Sequence, residues 1–416
     1  MPINQPSSGP HSVSLLCLPD ELLQHIASRL PRAEQFRKKQ SLVCMALVSK
    51  RLRAAALPYL WEDLSYTRKD PTDPTEKQIF CQYGKLIKRL YVTIAAATEV
   101  DTVTRLLGET RILDTLSLSC YKRDVSLGPV IHQLAQLDPP VRELLLELSG
   151  GPPPGLAQLL SSDQGPESLA LLRPPNNYPR LLPLTAAPVE HIAKGIRSSH
   201  KLKKLICDNI ELVRPCEDDN PSSIVEIEFK RSIEVGDLST INSAYGLSLR
   251  TLSLDELEEP ENSQSPVHFV NLETICLRQM LYDTDKLLSA ALDPKTPLRN
   301  IIFHSLDENA LVDAKRFAEL QQHPTLRQIV IKNEGNAYRN TDYGLSSLVD
   351  HGLGILRDHN VYVEYDGPAT EWVDAVARHR CLAAFKDWAS SRGIEIVADW
   401  FDPTVLDQED EDDSSE

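Results

Sequence analysis

A six-residue pattern, apolar-x-x-apolar-x-apolar, recurs from residue 87 onward and constrains this chain more than any other feature. LDTLSL begins at Leu113, VRELLL at Val141, LKKLIC at Leu202, IVEIEF at Ile224, LRTLSL at Leu249, LETICL at Leu272, LRNIIF at Leu298 and LRQIVI at Leu326. Looser copies start at Ile87 (IKRLYV), Pro166 (PESLAL) and Asn360 (NVYVEY). Successive starts lie 26, 28, 25, 36, 22, 25, 23, 26, 28 and 34 residues apart. As a short strand, each copy turns its first, fourth and sixth side chains inward and its third, fifth and seventh outward. The remainder of each period is long enough for a crossover that returns the chain to start a parallel neighbour. One such unit cannot bury its own leucines, so the copies must stack.

The spacing falls in or near the 20 to 29 residues of leucine-rich repeats, which the segment resembles. A 416-residue chain is too long for one compact core, and its apolar content of 41% includes only 6% aromatics, as suits a leucine-lined array. The expectation is an α/β chain: a right-handed β/α leucine-rich-repeat solenoid over residues 87–369, with about eleven strands. Amphipathic stretches such as Asp313 to Gln322 and Ala187 to Ser198 read as crossover helices. The interval 151–190, with Pro152, Pro153, Pro154, Pro174 and Pro175, breaks the period and reads as an irregular loop. Residues 370–406 read as a C-terminal cap, a bulky helix with Trp372, Val376, Phe385 and Trp388 and then a strand at Ile394 to Val397. The ends, 1–17 and 407–416 (DQEDEDDSSE), read as a disordered arm and a disordered acidic tail.

Residues 18–66 have a different character. Leu18-Pro19-Asp20-Glu21 opens a helical pattern with proline and two acids in the first turn, continued by Leu22, Leu23, Ile26 and Leu30. A charged stretch, Arg32 to Gln40, separates it from an apolar run, Ser41 to Leu57, that ends at Pro58 before Tyr59, Leu60 and Trp61, giving two further short helices. So small a helical unit must lean on a partner or on the next domain. The ordered features, including Leu47-Val48-Ser49-Lys50-Arg51-Leu52-Arg53 and Leu57-Pro58-Tyr59-Leu60-Trp61, resemble the F-box of fungal-type proteins that continue into leucine-rich repeats.

That resemblance implies a three-helix module that docks on the Skp-type adaptor of a Skp, cullin and F-box ubiquitin ligase while the repeats hold an unknown protein substrate. It places the adaptor contacts at Leu18, Pro19, Leu22, Ile26, Val48, Lys50 and Leu52. Periodicity alone leaves each of these open between docking face and three-helix core. Two rivals carry a different function: a ligase-independent F-box scaffold, and an enzyme using the repeat face as a pocket.

Charge and motif content narrow the classes. The net charge is -16, with eight bases against five acids in 18–66 and seven acids and no base in the last ten residues. An acidic body argues against nucleic acid, and no apolar run approaches a membrane span. The apolar stretch Val13 to Leu18 lacks the basic flank of a signal peptide. Eight scattered cysteines form no CxxC pair and no zinc-ligand cluster, which points to reduced thiols in the cytoplasm or nucleus. No phosphate loop, nucleophile elbow or HExxH helix occurs, and His379-Arg380-Cys381 would sit two apart on a helix, facing apart. The chain therefore reads as a non-catalytic receptor without metal or cofactor. Its outward fifth positions, Cys276, Ile302 and Val330, form an apolar ladder, and its seventh positions, Arg278, His304 and Lys332, a basic column. Together these suit a substrate peptide with an apolar anchor and an anionic group, and equally a ladder covered by the interval 151–190 or a basic column that holds this chain's own acidic tail.

Overall fold

The computed structural model describes residues 18–30, 35–67, 82–173, 186–214, 222–255, 257–258, 265–278, 291–303, 324–331, 387 and 389–398. Two compact units divide the chain, Met1–Gly155 and Leu156–Glu416.

The first unit begins with three helices. In α1 (Asp20–Arg29), the carbonyl of Pro19 accepts from the backbone N–H of Leu22 and Leu23, and Asp20 and Glu21 in the first turn complement the helix dipole. A single residue, Ser49, parts α2 (Gln35–Val48) from α3 (Lys50–Trp61); its extended backbone and its Oγ, which accepts from the Leu52 N–H at 3.1 Å, start the new helix. Two expectations change here. Helix α2 starts at Gln35, inside the charged stretch expected to separate helices. Helix α3 runs through Pro58, losing one backbone bond, while Tyr59 and Leu60 beyond it pack on the buried cluster Ala27, Leu42, Ala46 and Ala56.

Four parallel strands follow in the same unit: β1 (Asp63–Thr67), β2 (Arg89–Ile94), β3 (Thr115–Cys120) and β4 (Glu143–Leu148). The second unit holds β5 (Ser168–Leu172), β6 (Lys204–Cys207), β7 (Glu226–Phe229), β8 (Ile233–Glu234), β9 (Thr251–Leu254), β10 (Leu257–Glu258), β11 (Thr274–Leu277), β12 (Asn300–Phe303), β13 (Gln328–Ile331) and β14 (Glu395–Ala398). Among the described residues, the strand pairings within each unit are parallel; β8 and β10 form a separate two-stranded ladder. The first ten copies of the six-residue pattern are all strands, and each strand begins at the third position of its copy.

The reason is visible in burial. First and fourth side chains are buried in all ten of these copies, and sixth side chains in the copies from Ile87 through Leu272, as in Leu113, Leu116 and Leu118 or Leu272, Ile275 and Leu277. The second position supplies a backbone hook. The Lys88 carbonyl accepts from both Asp114 and Thr115 N–H, the Arg250 carbonyl from Glu273 and Thr274, and the Glu273 carbonyl from Arg299 and Asn300. In eight of the ten copies the second-position carbonyl thus fixes the register of the next without its side chain taking part.

Return segments pack behind the strands. Helix Val100–Glu109 buries Val100, Val103, Leu106 and Leu107. Helix Ala186–Ser198 falls where a crossover was expected and lies so close to helix Leu156–Leu160 that a Cβ on Gly195 would stand 2.8 Å from the Ala157 Cα. The interval 151–190 is therefore not a loop throughout. It contains helix Leu156–Leu160 and β5, because its prolines fall on either side of a run whose Leu156, Ala157, Leu159 and Leu160 are buried.

At the carboxyl end, the expected strand appears as β14 and pairs with β13. The copy at Asn360, the stretch Asp313 to Gln322, the bulky cap residues Trp372, Val376, Phe385 and Trp388, the arm 1–17 and the tail 407–416 lie outside the described residues.

Candidate functional site

The helices carry an apolar surface over which nothing folds among the described residues. On α1, Leu23 and Ala27 are buried, while Leu22 and Ile26, one residue earlier in the same spacing, remain 49% and 37% exposed. On α2, Leu42 and Ala46 are buried, while Val43 and Leu47 are 46% and 72% exposed, followed by Val48 at 68%. Both helices are thus apolar on two sides, one of which faces water. Five of the ten exposed large apolar residues of the described chain fall in these two helices. A concentration of this kind marks an interaction surface.

The rim of this surface is pinned. Arg51 donates from Nε to the Asp20 carboxylate at 2.5 Å and from a terminal nitrogen to the Leu18 carbonyl at 2.6 Å, tying the start of α1 to the start of α3. Behind α3, Trp61 stacks on Tyr83 with ring centroids 4.6 Å apart. The carbonyl of Glu62 accepts from the Lys88 and Arg89 N–H groups, and the Arg89 guanidinium forks onto Asp63.

Of the seven expected contacts, Leu22, Ile26 and Val48 are exposed apolar residues, Pro19 and Lys50 are exposed, and Leu18 is half-buried against the cluster of Leu23, Leu52 and Ala55. Leu52 is corrected: at 4% exposure it belongs to the core, because its place three residues after Ser49 turns it toward Leu23. Val43 and Leu47 join the exposed set. Their signal lay in the unbroken apolar run Leu42 to Val48, which is too apolar for a helix with only one covered face.

A second surface lies on the open face of the second unit. Cys276, Ile302 and Val330 do stand side by side in register, and Val397 of β14 extends the row. Cys276 is nevertheless buried, as is its other neighbour Ser253, while Ile302 and Val330 are half-buried. The expected basic column is corrected too. Arg278 reaches back past β9 to donate to Glu228 of β7 at 2.5 Å, so its charge is engaged from within the sheet. His304 and Lys332 lie outside the described residues.

Glu228 is the centre of a charged network, with Lys230 at 2.5 Å, Arg278 at 2.5 Å and Lys204 at 3.8 Å; Lys204 also holds Glu226 at 2.5 Å. Burial opposes the Glu228 charge, but the Lys230 hydrogen bond and the charges of Lys230, Arg278 and Lys204 outweigh it and hold the carboxyl below its ordinary range. Beside it, Asp208 draws Arg231 at 3.6 Å and Arg173 at 3.9 Å, and accepts the Arg173 backbone N–H at 2.9 Å.

Thiol chemistry finds little support in the sheet. Cys120, Cys207 and Cys276 are buried, and burial pushes the Cys207 thiol up to about 12, far from a reactive thiolate. Among the described residues, no cluster of His, Cys, Asp or Glu is placed to hold a metal ion, and no helix is long and apolar enough to cross a membrane.

Comparison with known families places this geometry. Residues 15–67 match the F-box-like family, a span that covers α1, α2, α3 and β1. No curated protein matches the chain. The chain thus carries an F-box-like domain, and domains of this class typically bind Skp-type adaptors.

Proposed function

We propose that this protein is a substrate-recognition subunit of a Skp, cullin and F-box ubiquitin ligase. The exposed apolar side chains of α1 and α2 dock on the adaptor, and the strands from β2 onward, read as leucine-rich repeats of a right-handed solenoid with β14 in its C-terminal cap, hold the substrate. The chain itself performs no chemistry; catalysis is proximity supplied by assembly. One observation carries the reading: Leu22, Ile26, Val43, Leu47 and Val48 are exposed within the F-box-like match. A helical face that leaves so many apolar groups in water gains free energy when a partner covers it.

The test is copurification of the tagged full chain from cells of cytoplasmic and nuclear origin. A receptor brings down adaptor and cullin together, and Leu47→Asp loses both while the protein stays folded. Recovery of adaptor without cullin would favour the ligase-independent scaffold, and undiminished recovery by Leu47→Asp would remove α2 from the docking face.

A further inference from the structure

We propose that the open face of β6 and β7, together with the residues that follow β5, β6, β7 and β11, forms a recognition site for an acidic segment of a partner protein, an extended stretch with neighbouring Asp or Glu side chains. The proposal deepens the receptor reading, on which it rests for the partner's fate and not for the binding itself.

The charges here are layered. The two central carboxylates, Glu228 and Asp208, expose 6% and 7% of their side chains, whereas Lys204, Lys230, Arg173, Arg231 and Arg278 expose between 24% and 41%. Among the described residues, what an approaching molecule meets here is therefore mostly cationic. Five bases against two buried acids leave +3; counting the more accessible Glu226 and Asp255 as well, five against four leave +1, in a chain whose net charge is -16.

The Nε atoms of Arg173 and Arg278 are buried and meet no hydrogen-bond acceptor among the described residues, so an arriving acid would pair with the exposed parts of these side chains. A guanidinium is suited to a carboxylate by its planar fork of donors, which favours side-chain carboxylates as the ligand. Nucleic acid is a poorer fit, because tracking phosphates needs an extended basic face that an acidic body opposes. The position is also apt: in sheets of parallel strands, ligands gather beyond the carboxyl ends of the strands. Next to the cluster, half-buried Ile302 and Val330 offer a row on which an apolar side chain of the same segment can rest.

A structural ion-pair network and a binding site make opposite predictions for one substitution. Removing the buried acid, Glu228→Gln, releases Lys230, Arg278 and Lys204 from their internal partner. If they receive an external acid, affinity for it rises.

The experiment uses the purified full chain and a degenerate library of eight-residue peptides with glutamate fixed at two neighbouring positions, against a matched library with glutamine there. The glutamate library should bind preferentially and weaken as salt is raised. Lys230→Gln with Arg231→Gln should reduce its binding by about tenfold, and Glu228→Gln should raise it by about threefold. Adaptor capture is measured on the same samples. A chain that captures adaptor but treats the two libraries alike, or a Glu228→Gln variant that stays folded and binds no better, overturns this proposal and leaves the receptor reading intact. Preferential binding without adaptor capture sinks the receptor reading instead. Preference that emerges only after deleting residues 407–416 would overturn the partner in favour of this chain's own acidic terminus.

Discussion

The helical head and the strands of the second unit are built from the same apolar residues and dispose of them in opposite ways. In α1 and α2 the buried and exposed apolar side chains alternate around the helix, and five large ones face water. In β6 through β13 the first and fourth positions of every copy are buried, and the exposed large apolar residues of that unit are only Leu247, Val270 and Val397 among the described residues. A strand face closed by its own crossovers needs nothing more, whereas a short helical unit keeps a face for something outside the chain. Apolar content alone could not separate these cases; the periodicity of burial does.

The sharpest way to break this contrast is to charge both helical faces at once. Ile26→Asp with Leu47→Asp should lower adaptor affinity by about a hundredfold or more in a binding assay, while the thermal unfolding midpoint hardly moves. A large fall in the midpoint would mean that these side chains are core after all. The converse substitution, Leu252→Ala in the buried face of β9, should cost about 2–5 kcal/mol in denaturant unfolding and leave adaptor capture unchanged.

Between these extremes lies Gly195→Ala, where the added methyl meets the Ala157 backbone and should cost about 1–3 kcal/mol by the same measurement. A neutral outcome there would show that the two helices have room to part.

Glu228 sharpens the comparison through pH. Its folded-state pKa is depressed, so its contribution is present above the ordinary carboxylate value and is lost as pH falls through the lower folded value. Acid should therefore destabilise the second unit, and Glu228→Gln should flatten that dependence while costing below about 2 kcal/mol at neutral pH, since its cations can turn to water. Asp114 is the smallest case. The Arg142 hydrogen bond lowers its pKa against the opposing effect of burial, but Arg142 is largely exposed, so Asp114→Asn should shift stability by less than about 1 kcal/mol.

Much of the fold could be read in advance because its signal repeats: one six-residue pattern, set by burial at the same positions, locates ten strands. What escaped had its signal hidden by a neighbour. Strand β1 follows the same pattern as Trp61-x-x-Leu64-x-Tyr66, but these residues were absorbed into the end of the helical module. The exposed apolar face of these helices was partly legible from Leu22, Ile26 and Val48, whereas Leu52 lies in the core, because a one-dimensional pattern does not say which of two apolar faces meets α1. Arg278 could not be judged from its column at all. Its partner Glu228 lies 50 residues earlier and two strands away, and only the folded sheet brings them together.

The doubled backbone hook at the second position has a consequence for how such a chain can be rebuilt. Since in eight of the copies one carbonyl seats two amides of the next, alignment is settled locally, and the length of the return segment is free to vary, as the spacings of 22 to 36 residues already do. A whole strand-and-return module could then be excised or duplicated, and its neighbours would still mate through the same two amides. The number of modules, and with it the span available to a bound molecule, becomes an adjustable quantity rather than a fixed property of the fold.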